Sequence, residues 1–154
     1  MASSLAIHVV IADDHPAVLS GLCATLDAYA SVTVVAQATN GTELLAALER
    51  SCCDVVVSDF EMPDAHSRGG IALFTELTQR RPGLPIVVLT MNDRPDVIGS
   101  LLGLGVQCIV SKVDANDHVL GAIYAAYAGG RYFSPAVAQA VETAFAGGGR
   151  SAER

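Results

Sequence analysis

The sequence predicts an α/β domain on a doubly wound sheet of five parallel strands, and three observations lead there. Short β-branched runs, IHVVIA (7–12), CDVVVS (53–58), LPIVVL (84–89) and VQCIVS (106–111), alternate with segments of helical periodicity. Each of the four runs leads directly into a charged or hydroxyl residue: Asp13 and Asp14, Asp59, Thr90, and Lys112. In an open parallel sheet ligands bind outside the carboxyl ends of the strands, so side chains that follow the strands converge although they are distant in sequence.

Element by element, the first strand hands over to a helix after Pro16, with Val18, Leu22, Thr25, Leu26 and Tyr29 on one face. Ser31 to Ala38 reads as the second strand, and it ends without a reactive side chain. That silence fits an edge strand in the flavodoxin-like order 2-1-3-4-5, whose end lies away from the switch point. Asn40 and Glu43 form a capping pair for the second helix, which carries Leu44, Leu45 and Leu48. After Asp59, Met62-Pro63 shapes a loop, and an insertion (Asp64–Gly70, with an exposed His66) precedes a third helix marked by Ile71, Phe74 and Leu77 and closed by Pro82.

Pro95 suits the first turn of a fourth helix with Ile98, Leu101 and Leu102, ended by Gly103 or Gly105. Asp114 can cap a fifth helix with Leu120, Ile123 and Tyr127 inward, ending at Gly129-Gly130. Ser134-Pro135 starts a short extra helix with Val137, Val141 and Phe145 in register, and residues 147–154, GGGRSAER, read as a flexible linker.

Composition narrows the function classes. A chain of 154 residues, 51% hydrophobic, typically makes one domain with a real core. Charges interrupt every apolar run well before the ~20 residues a membrane helix needs, and no basic region precedes the first apolar stretch, so neither a membrane span nor a secretory leader is expected. Cys23, Cys52, Cys53 and Cys108 lack metal spacing and read as reduced small hydrophobes, in keeping with a cytoplasmic domain. A net charge of −7, with only Arg80-Arg81 adjacent among the basic residues, gives no footprint for a nucleic-acid backbone; DNA binding must come from elsewhere.

The converging residues carry chemistry of their own. Three close carboxylates repel one another and are expensive to bury unpaired, so the pocket calls for a cation as well as Lys112. Carboxylate, carbonyl and water oxygens suit Mg²⁺ or Mn²⁺. Asp59 stands singly at the end of a central strand and is the natural nucleophile toward phosphorus, while the Asp13-Asp14 doublet is best placed to hold the ion. Thr90 and Lys112 would bind and neutralise the oxygens of a transferred phosphoryl group. Any one of these residues alone is better read as a cap, a turn residue or a solvated charge, and His15 as a local hydrogen-bonding residue of the first loop; together they are not coincidence.

On IADDHP (11–16), SDFEMP (58–63), VLTMN (88–92) and IVSK (109–112), residues 5–130 resemble the receiver domain of two-component response regulators, with a CheY-like fold. Within that family the chain is similar to the NarL subgroup, whose full-length members carry a C-terminal LuxR/FixJ-type helix-turn-helix domain. The resemblance implies that Asp59 is the phosphoacceptor, taking its phosphoryl group by Mg²⁺-assisted in-line attack from a sensor histidine kinase or a histidine phosphotransfer protein. It also implies Asp14 as direct Mg²⁺ ligand, Asp13 acting through water, the backbone carbonyl of Glu61 as a further ligand, Thr90 as the switch hydroxyl and Lys112 as the ion-pair partner. Phosphorylation would then bias a surface made by the fourth helix and fifth strand, or by the first and fifth helices, toward homodimerisation. Residues 131–146 would be a linker helix and 147–154 a flexible linker toward a helix-turn-helix domain that controls transcription.

Two positions depart from the family pattern. Ile109 stands three residues before Lys112 where many receivers have an aromatic switch residue, and Val113 follows Lys112 where many have proline. A stand-alone phosphorelay receiver is the alternative reading. Rivals of other classes fare worse. A haloacid-dehalogenase-type phosphatase would use Asp59 with Glu61 two residues on, but its acidic pair normally comes last in the chain. A cobalamin-binding module would want glycine where Val18 ends the DxHxxG pattern begun at Asp13.

Overall fold

The computed structural model describes residues 6–62, 70–91 and 95–152, with side chains described as far as residue 143. Pro63, the insertion from Asp64 to Arg68 and Gly69 with its His66, and Asn92 lie outside the described residues. The elements in chain order are β1 (Ile7–Ala12), α1 (Pro16–Asp27), β2 (Val32–Ala38), α2 (Gly41–Arg50), β3 (Val55–Asp59), α3 (Gly70–Arg80), β4 (Ile86–Thr90), α4 (Pro95–Gly103), β5 (Cys108–Ser111), α5 (Ala115–Tyr127), β6 (Tyr132–Phe133) and α6 (Pro135–Ala152). All paired strands are parallel, in the order β2-β1-β3-β4-β5-β6. The chain leaves β1 for β2 on one side and returns as β3 on the other, which sets the switch point between β1 and β3.

The period of two along each strand divides the core into two layers. Val9, Ile11, Val55, Val57, Val87, Leu89, Cys108 and Val110 face α1 and α5, meeting Leu22, Leu26, Val119 and Ile123. Val10, Ala12, Val56, Val88 and Ile109 face the other way, onto Leu44, Phe74, Leu77, Leu101 and Val137. With both faces covered, the central strands β3, β4 and β5 are buried throughout, which is why they read as unbroken apolar runs.

The five-stranded expectation is one strand short. β6 adds beside β5, with Tyr132 paired to Cys108 and Phe133 to Ile109. Two residues are too short for a periodic signal; what holds them is side-chain fit. The Tyr132 ring lies over Gly121 of α5, where a Cβ would come within 3.1 Å of it, and its hydroxyl lies 2.7 Å from His118 Nδ1.

The helical faces also shift in detail. In α1 Leu19 joins Leu22 and Leu26 in the core, while Val18 is half-buried and Tyr29 exposed. In α5 the buried stripe is Ala115, Val119, Ala122, Ile123 and Ala126; Tyr127, expected inward, is 57% exposed. Small residues let α5 lie close to the sheet, and the tyrosine at its last turn points away. At α2 the capping pair forms, with Asn40 accepting the Glu43 N–H at 2.8 Å, and Glu43 reaching back to the Thr39 N–H at 2.8 Å. That donated bond holds the Glu43 carboxyl below its ordinary range. Asp114 occupies the position before α5 but makes no cap bond to that helix. α6 runs on to Ala152, past the expected end at 146, although each glycine of its last turns costs about 1 kcal/mol relative to alanine. Its extension runs through the first six residues expected to form a flexible linker.

Candidate functional site

Four strand ends place the site. Asp13 follows β1 and its N–H donates to Ala38 O at 3.0 Å, which holds it at the rim of the sheet beside β2. Asp59 ends β3 and Thr90 ends β4, both essentially inaccessible to solvent, as is Asp13. Lys112 follows β5, and its N–H donates to Thr90 O at 2.9 Å, so the parallel pairing of β4 and β5 continues one residue into the loop. Of the expected residues, these four are brought to one end of the sheet at its switch point.

Lys112 reaches across that end. Its ammonium lies 3.0 Å from Asp13 Oδ2 and 2.9 Å from Asp59 Oδ2, with its side chain only 5% exposed. Neither of those carboxylate oxygens takes a hydrogen bond beyond this lysine contact among the described residues. Asp59 Oδ1 accepts the Glu61 N–H at 3.1 Å, which brings the main chain of Glu61 against the carboxylate. Asp14 sits at the mouth, its side chain one-third exposed. The Lys112–Val113 peptide is not cis.

The charge balance is the notable property. Asp13, Asp14 and Asp59 bring three formal negative charges and Lys112 one positive charge, leaving two negative charges uncompensated. Burial pushes the Asp59 carboxyl up to about 6, with Asp13 repulsion adding to the rise and the Lys112 hydrogen bond opposing it. Burial works against the Lys112 ammonium, but hydrogen bonds and charge from Asp59 and Asp13 outweigh it and raise its pKa. One oxygen of each of Asp13, Asp14 and Asp59 and a ring nitrogen of His15 lie within 4.8 Å of one another. Such an oxygen-rich set, two charges short of neutrality, fits a small divalent cation of the Mg²⁺ type.

His15 is the residue the sequence undervalued. It makes the expected local bonds, with its N–H donating to Asp13 Oδ1 at 2.8 Å. Its ring Nδ1 also lies 3.1 Å from both Asp13 Oδ1 and Asp14 Oδ1, and 3.3 Å from Lys112 Nζ. The signal available in sequence was its position directly after the acidic pair and before Pro16, which locks the start of α1.

The chain has relatives of known family in both sequence and structure. Residues 9–124 match the response regulator receiver domain family. The chain is 33% identical over 141 residues to the transcriptional regulatory protein RcsB of Escherichia coli K12, covering 92% of this chain and 65% of that protein. It is 31% identical over 132 residues to UhpA of Salmonella typhimurium, covering 86% of this chain and 64% of that one. The chain thus spans somewhat less than two thirds of the length of these relatives. Among solved structures, the isolated receiver domain of RcsB from Salmonella enterica serovar Typhimurium with the phosphomimetic BeF3⁻ superposes with a TM-score of 0.82 at 32% identity, over 88% of this chain and 99% of that one. RcsB in a complex with DNA gives 0.83 at 32% identity, over 89% and 68%. The flavodoxin-like sheet, the order of its site residues and these matches together make the chain a member of the response regulator receiver domain family of two-component systems.

Proposed function

We propose that Asp59 accepts a phosphoryl group from a histidine kinase or a histidine phosphotransfer protein, and that the acyl phosphate is the signal. The observation that carries this reading is the Asp59 carboxylate, buried at the switch point between Lys112 and the acidic pair, with its pKa brought to about 6. In the transfer a carboxylate oxygen of Asp59 bonds to phosphorus as the donor's phosphorus–nitrogen bond breaks, and the electron pair leaves with the donor imidazole. Asp14 and Asp59, Asp13 through water, and the Glu61 carbonyl would hold Mg²⁺, which when bound supplies charge neutralisation for phosphoryl oxygens. Lys112 would exchange its hold on the Asp59 carboxylate for the oxygens of the new phosphoryl group, and the Thr90 hydroxyl, buried at the neighbouring strand end, would donate to them. The domain switches, without turning over an external substrate.

The output lies outside this domain. RcsB and UhpA are transcriptional regulators by name and extend beyond the matched region. By analogy, residues 131–154 lead toward a helix-turn-helix domain, and phosphorylation favours a homodimer that presents two such domains to DNA. No helix among the described residues is long and apolar enough to cross a membrane, in keeping with a cytoplasmic regulator.

Intact-mass spectrometry after incubation with acetyl phosphate and Mg²⁺ tests the acceptor. A single phosphoryl adduct is expected, labile to hydroxylamine, absent with EDTA and absent from Asp59→Asn. An adduct that persists in Asp59→Asn would place the acceptor elsewhere.

A further inference from the structure

Two residues that directly precede helices turn their side chains to other partners. Asp114 precedes α5 but leaves that helix uncapped; its Oδ2 instead accepts the N–H of Ala136, in the first turn of α6, at 3.3 Å. Its Oδ1 is buried without a hydrogen-bond partner among the described residues, so the carboxylate charge sits between the amino-terminal ends of α5 and α6, where a helix dipole favours it. Ser134 directly precedes α6, where a hydroxyl ordinarily accepts an N–H two or three residues further on. It is fully buried and accepts the Ser111 N–H at 2.9 Å instead.

Lys112 lies between the two residues that these bonds hold. Ser111 before it is pinned by Ser134, and Asp114 after it is tied to Ala136. Inside the loop, Ser111 Oγ accepts the Val113 N–H at 3.3 Å and Ser111 O accepts the Asp114 N–H at 3.2 Å, so the segment is a closed turn with no slack. Further along, the Ser134 N–H donates to Ile109 O at 3.2 Å, and Val137 packs fully buried with Ile98, Leu101 and Ile109. A buried N–H stripped of its partner is costly, so the first turn of α6 cannot move off β5 without disturbing the Lys112 turn. Ile109, which replaces the aromatic switch residue of many receivers, belongs to this contact.

We propose that Ser134 and Asp114 are positioning residues: they set the main chain that carries Lys112, and through them the first turn of α6 responds to a phosphoryl group on Asp59. The inference rests on the phosphoacceptor reading of Asp59. In the present arrangement the ammonium is held by Asp13 and Asp59; when it turns to phosphoryl oxygens, the Ser111–Ser134 and Asp114–Ala136 bonds hold the main chain in the position that this new contact needs. Coupling of this kind is reciprocal in binding free energy, so loosening α6 must weaken the hold on the phosphoryl group.

The test uses the whole chain with Mg²⁺ and beryllium fluoride as the phosphoryl mimic, read by binding titration and by amide hydrogen exchange. Saturation of the parent is expected to raise the protection of the Ala136 to Ala138 amides by about fivefold or more. Ser134→Ala and Asp114→Ala should bind the mimic about fivefold more weakly or worse, with α6 amides that no longer respond. Asp114→Asn, which keeps an acceptor for Ala136, should restore both. Parent α6 amides that stay unchanged at saturation while the mimic binds would overturn this inference alone. A parent that binds no mimic in the presence of Mg²⁺ would overturn the acceptor reading and this one with it.

Discussion

The two ends of the sheet use burial to opposite effect. At the amino-terminal end of β5, Cys108 is buried and its thiol is pushed up to about 11 by that burial, so it stays protonated and inert. At the carboxyl-terminal end of β3, burial likewise pushes Asp59 up, but only to about 6. The same desolvation takes one group away from reactivity and brings the other to the edge of neutral pH, where a lysine and a cation can decide its state. The surroundings differ accordingly. Near Cys108 lie Pro82, Pro85, Val106 and Gly130 around a cleft of about 390 Å³, and Gly83 and Gly105 turn the chain at φ +82° and +91°. Around Asp59 lie Asp13, Thr90 and Lys112. One end closes the fold, and the other holds electrostatic tension that a ligand can relieve.

The largest effect is expected from breaking the apolar end. Ile86, at the start of β4, is 6% exposed and lines the cleft. Ile86→Ala should cost about 2–4 kcal/mol of stability by transfer and cavity terms together. Below its lowered melting temperature the variant should still form the Mg²⁺-dependent adduct. Denaturant unfolding and intact mass check the two halves; an adduct lost from the folded variant would show that the ends are not separable.

Next in size is the cation. Mg²⁺ at tens of times its Kd should stabilise the parent by about 2 kcal/mol, because only the folded site gathers the ligands. Asp14→Ala should lose most of that response in thermal melts, since Asp14 is the accessible carboxylate of the cluster. An equal Mg²⁺ response in the two proteins would remove Asp14 from the cation site.

Much of this division was legible in the sequence. The central strands announced themselves because β3, β4 and β5 are buried throughout, and Asp59, Thr90 and Lys112 stand directly at their ends. β6 was not legible, because it rests on the Tyr132 ring filling the space above Gly121, a match between residues on different elements. Asp114 misleads for a related reason: an acidic residue before a helix promises a cap, yet the amide it accepts from belongs to α6. Spacing alone puts Tyr127 inward, whereas Ala122 and Ala126 fill the stripe against the sheet. Periodicity reports which side of an element is apolar; it does not report which distant residue will take up a polar atom.

A smaller effect tests the sign of the tension at Asp59. Its carboxyl titrates near 6 in the fold against 3.8 for an unburied aspartate. Between those values the folded state binds the extra proton, so this group's contribution to stability falls as pH rises from about 4 to about 6 and is least favourable above that range. Asp59→Asn removes the buried charge and leaves Lys112 paired with Asp13. Without Mg²⁺ at neutral pH it should therefore be more stable than the parent by about 1 kcal/mol, a rise of ~3 °C in Tm. The advantage should vanish on acidification below pH 4, and a constant difference across the range would mean that Asp59 carries no such cost.

The smallest effect separates the switch point from the rest of the same rim. Asn40 caps α2 just after β2, at the carboxyl-terminal end of the sheet but on its edge strand. Its Oδ1 accepts the Glu43 N–H, and Glu43 answers through Thr39, so the cluster is satisfied without any ligand. Asn40→Ala should cost about 0.5–1 kcal/mol, as cap removal usually does. The Mg²⁺ response and the adduct on Asp59 should stay as in the parent, measured side by side. Were the Mg²⁺ response to fall with the cap, the site would extend along the whole rim; if it holds, the chemistry is confined to the place where the chain reverses its winding, between β1 and β3.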